Sequence, residues 1–154
     1  MTDRREVIEI LNDLLSLERG SLISHLLAST VFVSRATARE DLAVRRMVRE
    51  IDEHQRWLVD AIVGLRGGVA PGRPDPRAAE LHYQELRHVL PRVIRNEQRI
   101  VEEYEQALPR LGAWPEAAAA SSRILARHRE HVRELTSFMT SGAPPAAGSV
   151  SAAK

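Results

Sequence analysis

The stretch RILARHREHV, residues 123–132, sets His128 and His131 three residues apart in an amphipathic pattern where leucine or isoleucine is the ordinary occupant. Side chains at i and i+3 share one helix face, so both imidazoles can turn toward one partner. Ionisable groups interrupt the apolar pattern in the same way elsewhere: Glu18 and His25 near the start, His54 further on, then Glu97 and Tyr104. An isolated buried charge costs several kcal/mol, so carboxylates and imidazoles gather in a core when they pair, hydrogen-bond or hold a metal. Glu18, His54, Glu97, His128 and His131 are therefore candidate metal ligands. Three imidazoles and two carboxylates form a borderline set that suits Zn, Fe, Mn, Ni or Cu.

Four long helices and a tail would position these groups. The first helix is expected from about Asp3 to Val33. In TARE, Thr37 as N-cap with Glu40 three residues on forms a capping box, so a second helix starts near Ala38. GLRGGVAPGRPDP ends it, and Asp75 followed by Pro76 opens a third helix that carries Pro91 inside it and should kink there. LPRLGAWPE separates a fourth helix beginning near Pro115. Residues 1–141 thus form one helical domain, and the Pro/Ala/Ser segment 142–154 is expected to be a disordered tail.

Each helix carries one apolar seam at steps of three and four, as bundle helices do. The seams read Leu11, Leu15, Glu18, Leu22, His25, Ser29, Phe32; then Val44, Met47, Ile51, His54, Leu58. Leu86, Leu90, Val93, Glu97, Val101, Tyr104, Leu108 make the third, and Ile124, His128, His131, Leu135, Phe138 the fourth. The layout also repeats: Glu18 precedes His54 by 36 residues and Glu97 precedes His131 by 34. Antiparallel pairing of two such hairpins brings these four residues to one level. The linker GLRGGVAPGRPDP, about 13 residues and about 40 Å if extended, is the only connection able to run the bundle's length. The fold expected is an all-α, up-down-down-up four-helix bundle with its long crossover between helices two and three.

The composition excludes several classes. With 154 residues, 44% apolar content, 28% charge and a formal net charge of +1, the chain reads as one globular domain with no electrostatic appetite for nucleic acid or anionic membranes. Cysteine is lacking, which rules out thiolate metal sites. No apolar run approaches a membrane span, and the N-terminus does not read as a signal peptide, so a cytoplasmic location is expected.

VIEILNDLLSLERGSLISHLLAST resembles the first helix of bacterioferritins and the wider ferritin-like superfamily, rubrerythrin-like bundles included. IDEHQRWL and HREHVREL resemble the Glu-x-x-His segments of its helices two and four. The likeness spans roughly residues 5–140. It implies a metal centre in which Glu18 and Glu97 are terminal carboxylates and His54 and His131 the histidines. The chain departs from that pattern at Ile51 and His128, which replace the two carboxylates that bridge the family's metal pair. Glu18 and Glu97 neutralise one divalent ion, whereas two ions call for a charge of about −4. One transition-metal ion is therefore expected, with Glu50, four residues before His54, as the candidate substitute carboxylate. His25 and Tyr104 are placed as neighbours that orient the ligands. Glu53 and Glu130 should face solvent.

Heme-binding members carry a methionine one residue after the helix-two glutamate; here that place is Asp52, so no heme is expected. Nor does the tail supply the fifth helix of 24-subunit cages, which favours a monomer or homodimer. Three functions compete: a metal-binding protein with a mononuclear Glu/His site, a dinuclear iron ferroxidase or oxidoreductase recruiting Glu50, and a metal-free interaction protein with a relic site.

Overall fold

A computed structural model describes residues 2–27, 37–72 and 86–141, with no side-chain description for residues 86–88 or Ser141. Among these there are helices and turns but no strand. Ser29, Phe32, the Asp75–Pro76 helix start, the Leu86 side chain and the tail from 142 lie outside the described part.

Helix α1 (Arg4–Arg19) starts at Asp3, whose carboxylate accepts from Glu6 N–H while the Glu6 side chain accepts from Asp3 N–H. The expected single first helix is interrupted at Gly20 and Ser21. Ser21 caps a separate one-turn helix, α2 (Leu22–Leu26), its hydroxyl accepting from Ile23 N–H, and the Leu22 amide donates to Asn96 Oδ1 at 3.0 Å. A Gly-Ser pair is a common place for a helix to break, because glycine adds conformational freedom and the hydroxyl offers the backbone an alternative partner. The break shifts the phase of the seam. Leu22, Ile23 and Leu26 are buried, while His25 is only half-buried.

Helix α3 (Ala38–Gly64) begins with the Thr37–Glu40 capping box read from TARE. At its end Arg66 takes a left-handed φ of 60°, and the amides of Arg66 and Gly67 close back on Val63 and Ile62. Glycine serves the neighbouring position instead: a Cβ on Gly67 would stand 2.8 Å from the Ile8 side chain. From there the crossover runs along α1. Asn12 donates to Gly68 O at 2.9 Å and accepts from Ala70 N–H at 2.7 Å, and Arg19 donates to Ala70 O at 2.6 Å. Helix α4 (Leu86–Ala107) contains Pro91, continues as a 3-10 turn over Leu108–Leu111, and is followed by α5 (Pro115–Ser141).

Helix α1 packs on α3 and α4, and α5 packs on the same two, leaving α3 and α4 as the diagonal pair. Glu6 reaches Arg110 while Leu22 meets Asn96; likewise Arg46 meets Glu134 while Trp57 meets Arg123. Each packed pair is thus antiparallel and α3 runs parallel to α4, which makes the long crossover obligatory. The core divides into two apolar plugs. One holds Ile23, Val44, Met47, Ile51, Val93, Leu135 and Phe138; the other holds Leu11, Leu15, Leu58, Ile62, Ile100, Leu111 and Ile124. Each such side chain contributes roughly 1.5–3 kcal/mol on burial, so the layer between the plugs is clamped from both ends. On α4 the buried row after Glu97 is Ile100, Tyr104, Ala107 rather than the expected Val101, Tyr104, Leu108; Val101 and Leu108 flank it half-buried.

Candidate metal centre

Glu18, His54, Glu97, His128 and His131 are all fully buried in that middle layer. Helix α1 brings Glu18, α3 brings His54, α4 brings Glu97, and α5 brings both remaining histidines. The arrangement centres on His128. Its Nε2 lies 2.7 Å from Glu18 Oε2 and its Nδ1 2.7 Å from Glu97 Oε1, so one ring spans the two carboxylates. His54 Nδ1 stands 3.1 Å from Glu18 Oε1, and His131 Nδ1 3.3 Å from Glu97 Oε1. The three rings form a compact triangle: the His54 and His131 centroids lie 5.1 Å and 5.3 Å from that of His128 and 6.3 Å from each other.

Two further residues join. Tyr104, fully buried, donates its hydroxyl to Glu18 Oε2 at 2.7 Å, and Glu50 places Oε1 2.8 Å from His131 Nε2. The other Glu50 oxygen accepts from Arg127 at 2.5 Å and lies 3.6 Å from Arg46 Nε. Arg46 also pairs with Glu134. Arg46 and Arg127 also line a surface depression of about 480 Å³, together with Glu130, Arg133, Glu134 and Ser137. His25 takes no part in the cluster's hydrogen bonds. Glu53 and Glu130 are exposed, as is Asp52.

Proton affinities follow from the packing. Burial alone would raise the Glu18 carboxyl, but the charge of His128 and hydrogen bonds from His128 and His54 outweigh it and hold the group at about 2. Glu50 is held at about 2 against burial by His131 and Arg127, and Glu97 is lowered against burial by His128 and His131. Burial opposes a charge on His128, yet the two carboxylates raise it to about 10. His131 is raised as well, against burial, by Glu50 and Glu97. Tyr104 is pushed well above the ordinary phenol range by burial and by Glu18, so it remains a hydrogen-bond donor.

Two buried polar atoms of the layer have no hydrogen-bond partner, His54 Nε2 and Glu97 Oε2. Native cores rarely leave such atoms bare. Two overlapping triads, Glu18/His54/His128 and Glu97/His128/His131, keep ligand atoms within 4.8 Å of one another. The donor set thus fits a metal ion bound through mixed nitrogen and oxygen ligands. Ile51 and His128, the two positions that the sequence likeness matches to bridging carboxylates, are both fully buried. The guanidinium pair on Glu50 was invisible in the sequence. Arg46 shares its helix with Glu50 at i, i+4, but Arg127 meets it across 77 residues.

The fold is ferritin-like. It is similar to a crystal structure described as ferritin like, diiron-carboxylate proteins from Bacillus anthracis str. Ames, with a TM-score of 0.72 at 18% identity, covering 90% of this chain and 99% of that one. No family model and no curated protein matches the chain by sequence. None of the described helices is long and apolar enough to cross a membrane.

Proposed function

We propose that this chain is a ferritin-like metal-binding protein whose Glu/His layer takes a transition-metal ion in the bundle core. The observation that carries this reading is the pair of buried, unpartnered ligand atoms, His54 Nε2 and Glu97 Oε2, within two triads of metal-binding side chains. The fold likeness to a diiron-carboxylate protein supports it. Bound there, an ion supplies Lewis-acid or redox chemistry. The protein's own residues orient the ligands, keep water out of the layer and hold a proton on Tyr104. Iron is the metal that the similar structure favours; Zn, Mn and Cu suit the same ligands. A cytoplasmic monomer or homodimer without heme completes the proposal.

A second reading draws on His128, whose cation pairs with both carboxylates without any metal and would suit a relic site in a metal-free interaction protein. Elemental analysis of the full chain, purified and then reconstituted with Fe(II) or Zn(II), separates the two. Stoichiometric metal that survives dialysis is expected. His131→Ala should lower the affinity at least about 100-fold, since changes to groups that only orient ligands already cost 10–100-fold, whereas Glu53→Gln should leave it unchanged. No retained metal in the wild type, or equal retention in the two variants, defeats the proposal.

A further inference from the structure

The two triads share His128, and they share it through opposite ends of its ring. Nε2 faces Glu18, which holds His54 on its other oxygen; Nδ1 faces Glu97 Oε1, which His131 also approaches. We propose that His128 bridges two divalent metal ions as an imidazolate, one in the Glu18/His54 half and one in the Glu97/His131 half. The inference rests on the metal-binding reading above and adds the number of ions and the group that joins them.

Ligand spacing suits this arrangement. Metal–nitrogen and metal–oxygen bonds of about 2.0–2.2 Å set neighbouring ligand atoms roughly 2.9 Å apart at a right angle and roughly 3.4 Å apart at the tetrahedral angle. Glu18 to His54 at 3.1 Å and Glu97 to His131 at 3.3 Å already fall within that interval. The two 2.7 Å contacts of His128 open by a few tenths of an ångström to admit an ion on each side. With bonds of about 2 Å on both ring nitrogens, the ions stand roughly 6 Å apart, much farther than a carboxylate bridge would hold them.

Charge favours the bridge as well. Glu18, Glu97 and the imidazolate supply three buried negative charges toward two divalent ions, one more than a neutral imidazole would leave, and Glu50, whose own charge is met by Arg127 and Arg46, lies partly exposed beside His131. Each ion replaces one ring proton, both protons pass to solvent, and no electron changes hands. Glu50, on the far nitrogen of His131, orients that ligand as outer carboxylates orient metal-bound imidazoles. Ile51, at the place of the missing carboxylate, is fully buried and offers no ligand atom.

Copper(II) is the probe, because it binds nitrogen and oxygen sites tightly and is paramagnetic. The full chain is loaded with Cu(II), dialysed against glycine to strip surface histidines, and examined by elemental analysis and electron paramagnetic resonance. Two ions per chain are expected, with integrated spin intensity well under half that of two isolated ions, because an imidazolate bridge pairs their spins. His128→Gln should return full intensity for whatever copper it retains. One ion per chain overturns the bridge and leaves the metal-binding reading standing; no ion removes both. Two ions at full intensity, or a His128→Gln chain whose signal stays quenched, also overturn it. The wild-type measurement decides even if that variant does not fold.

Discussion

The two halves of the metal centre are closed in different ways. Around Glu18 the seal is packing: Glu18, His54 and Tyr104 are fully buried, and Trp57, its ring 5.7 Å from that of His54 and covered by Arg123 at 4.1 Å, lies outside them. Around His131 the seal is an ion pair. Glu50 keeps 19% of its side chain exposed, and it is held by Arg127 and Arg46, each more than a third exposed, which also line a surface depression. A packed wall opens only when helices part, whereas an ion pair exchanges partners with water at small cost. The Glu50 side is therefore the route by which an ion would reach the layer.

Removing a carboxylate from each half tests this difference most severely. Glu18→Ala should destabilise the metal-free protein by about 3–5 kcal/mol, because it strips one partner from the buried His128 cation. Glu50→Ala should cost about 1 kcal/mol or less. Urea denaturation measures both, and equal losses would mean that the Glu50 side is as closed as the other.

Protons and metal compete for the same nitrogens, which fixes the direction of the pH response. The His128 value lies above its ordinary 6.5, so its contribution to metal-free stability is complete below about 6.5 and is lost as pH rises through about 10. The Glu18 value lies below its ordinary 4.5, so its contribution is complete above that and is lost as pH falls toward about 2. Metal-free stability should then peak between those limits. Metal affinity should instead climb from pH 6 to 9, roughly tenfold per pH unit for each proton displaced. Affinity that stays flat across that range in a competition titration would mean that His128 keeps its protons in the loaded protein.

Tyr104→Phe probes the packed half more gently. Loss of the hydroxyl that bonds Glu18 should lower stability by about 1–1.5 kcal/mol, and thermal melts of the metal-free chain report it. The smallest effect belongs to Arg127→Gln, which frees one oxygen of Glu50. Stopped-flow uptake should quicken several-fold with little change in affinity, and an unchanged rate would place the access route elsewhere.

Most of the fold was legible in the sequence because it is written in local rules. Thr37 with Glu40 and Pro115 mark helix starts through chemistry confined to a few residues, and every residue of the seams read for the second and fourth helices is buried, with Ala43, Ile62, Ala117, Ser121 and Leu125 joining them. The misreadings arose where two local signals competed. A continuing three-four pattern masked the Gly20–Ser21 break, and with it the shift that leaves His25 outside the cluster. On α4 a step of three rather than four after Glu97 exchanged Ile100 for Val101. Within the site, residue types and spacing identified the layer, and Glu50 was singled out by its place one turn before His54. What spacing could not reveal is which atom faces which: the use of both ring nitrogens of His128, and the guanidinium hold on Glu50, exist only once four helices meet.

The clip between Asn12 and the crossover gives this assembly a natural dividing point. It fastens residues 68–70 to α1, so the described part of the crossover, up to Gly72, belongs with the first hairpin. A chain cut after Gly72 would yield two fragments, each carrying one glutamate and one histidine of the repeat, with His128 only in the second. Neither holds a triad that joins Glu18 to His128. The Glu18/His54/His128 triad would then report fragment complementation, complete when the two pieces recombine and broken when they separate.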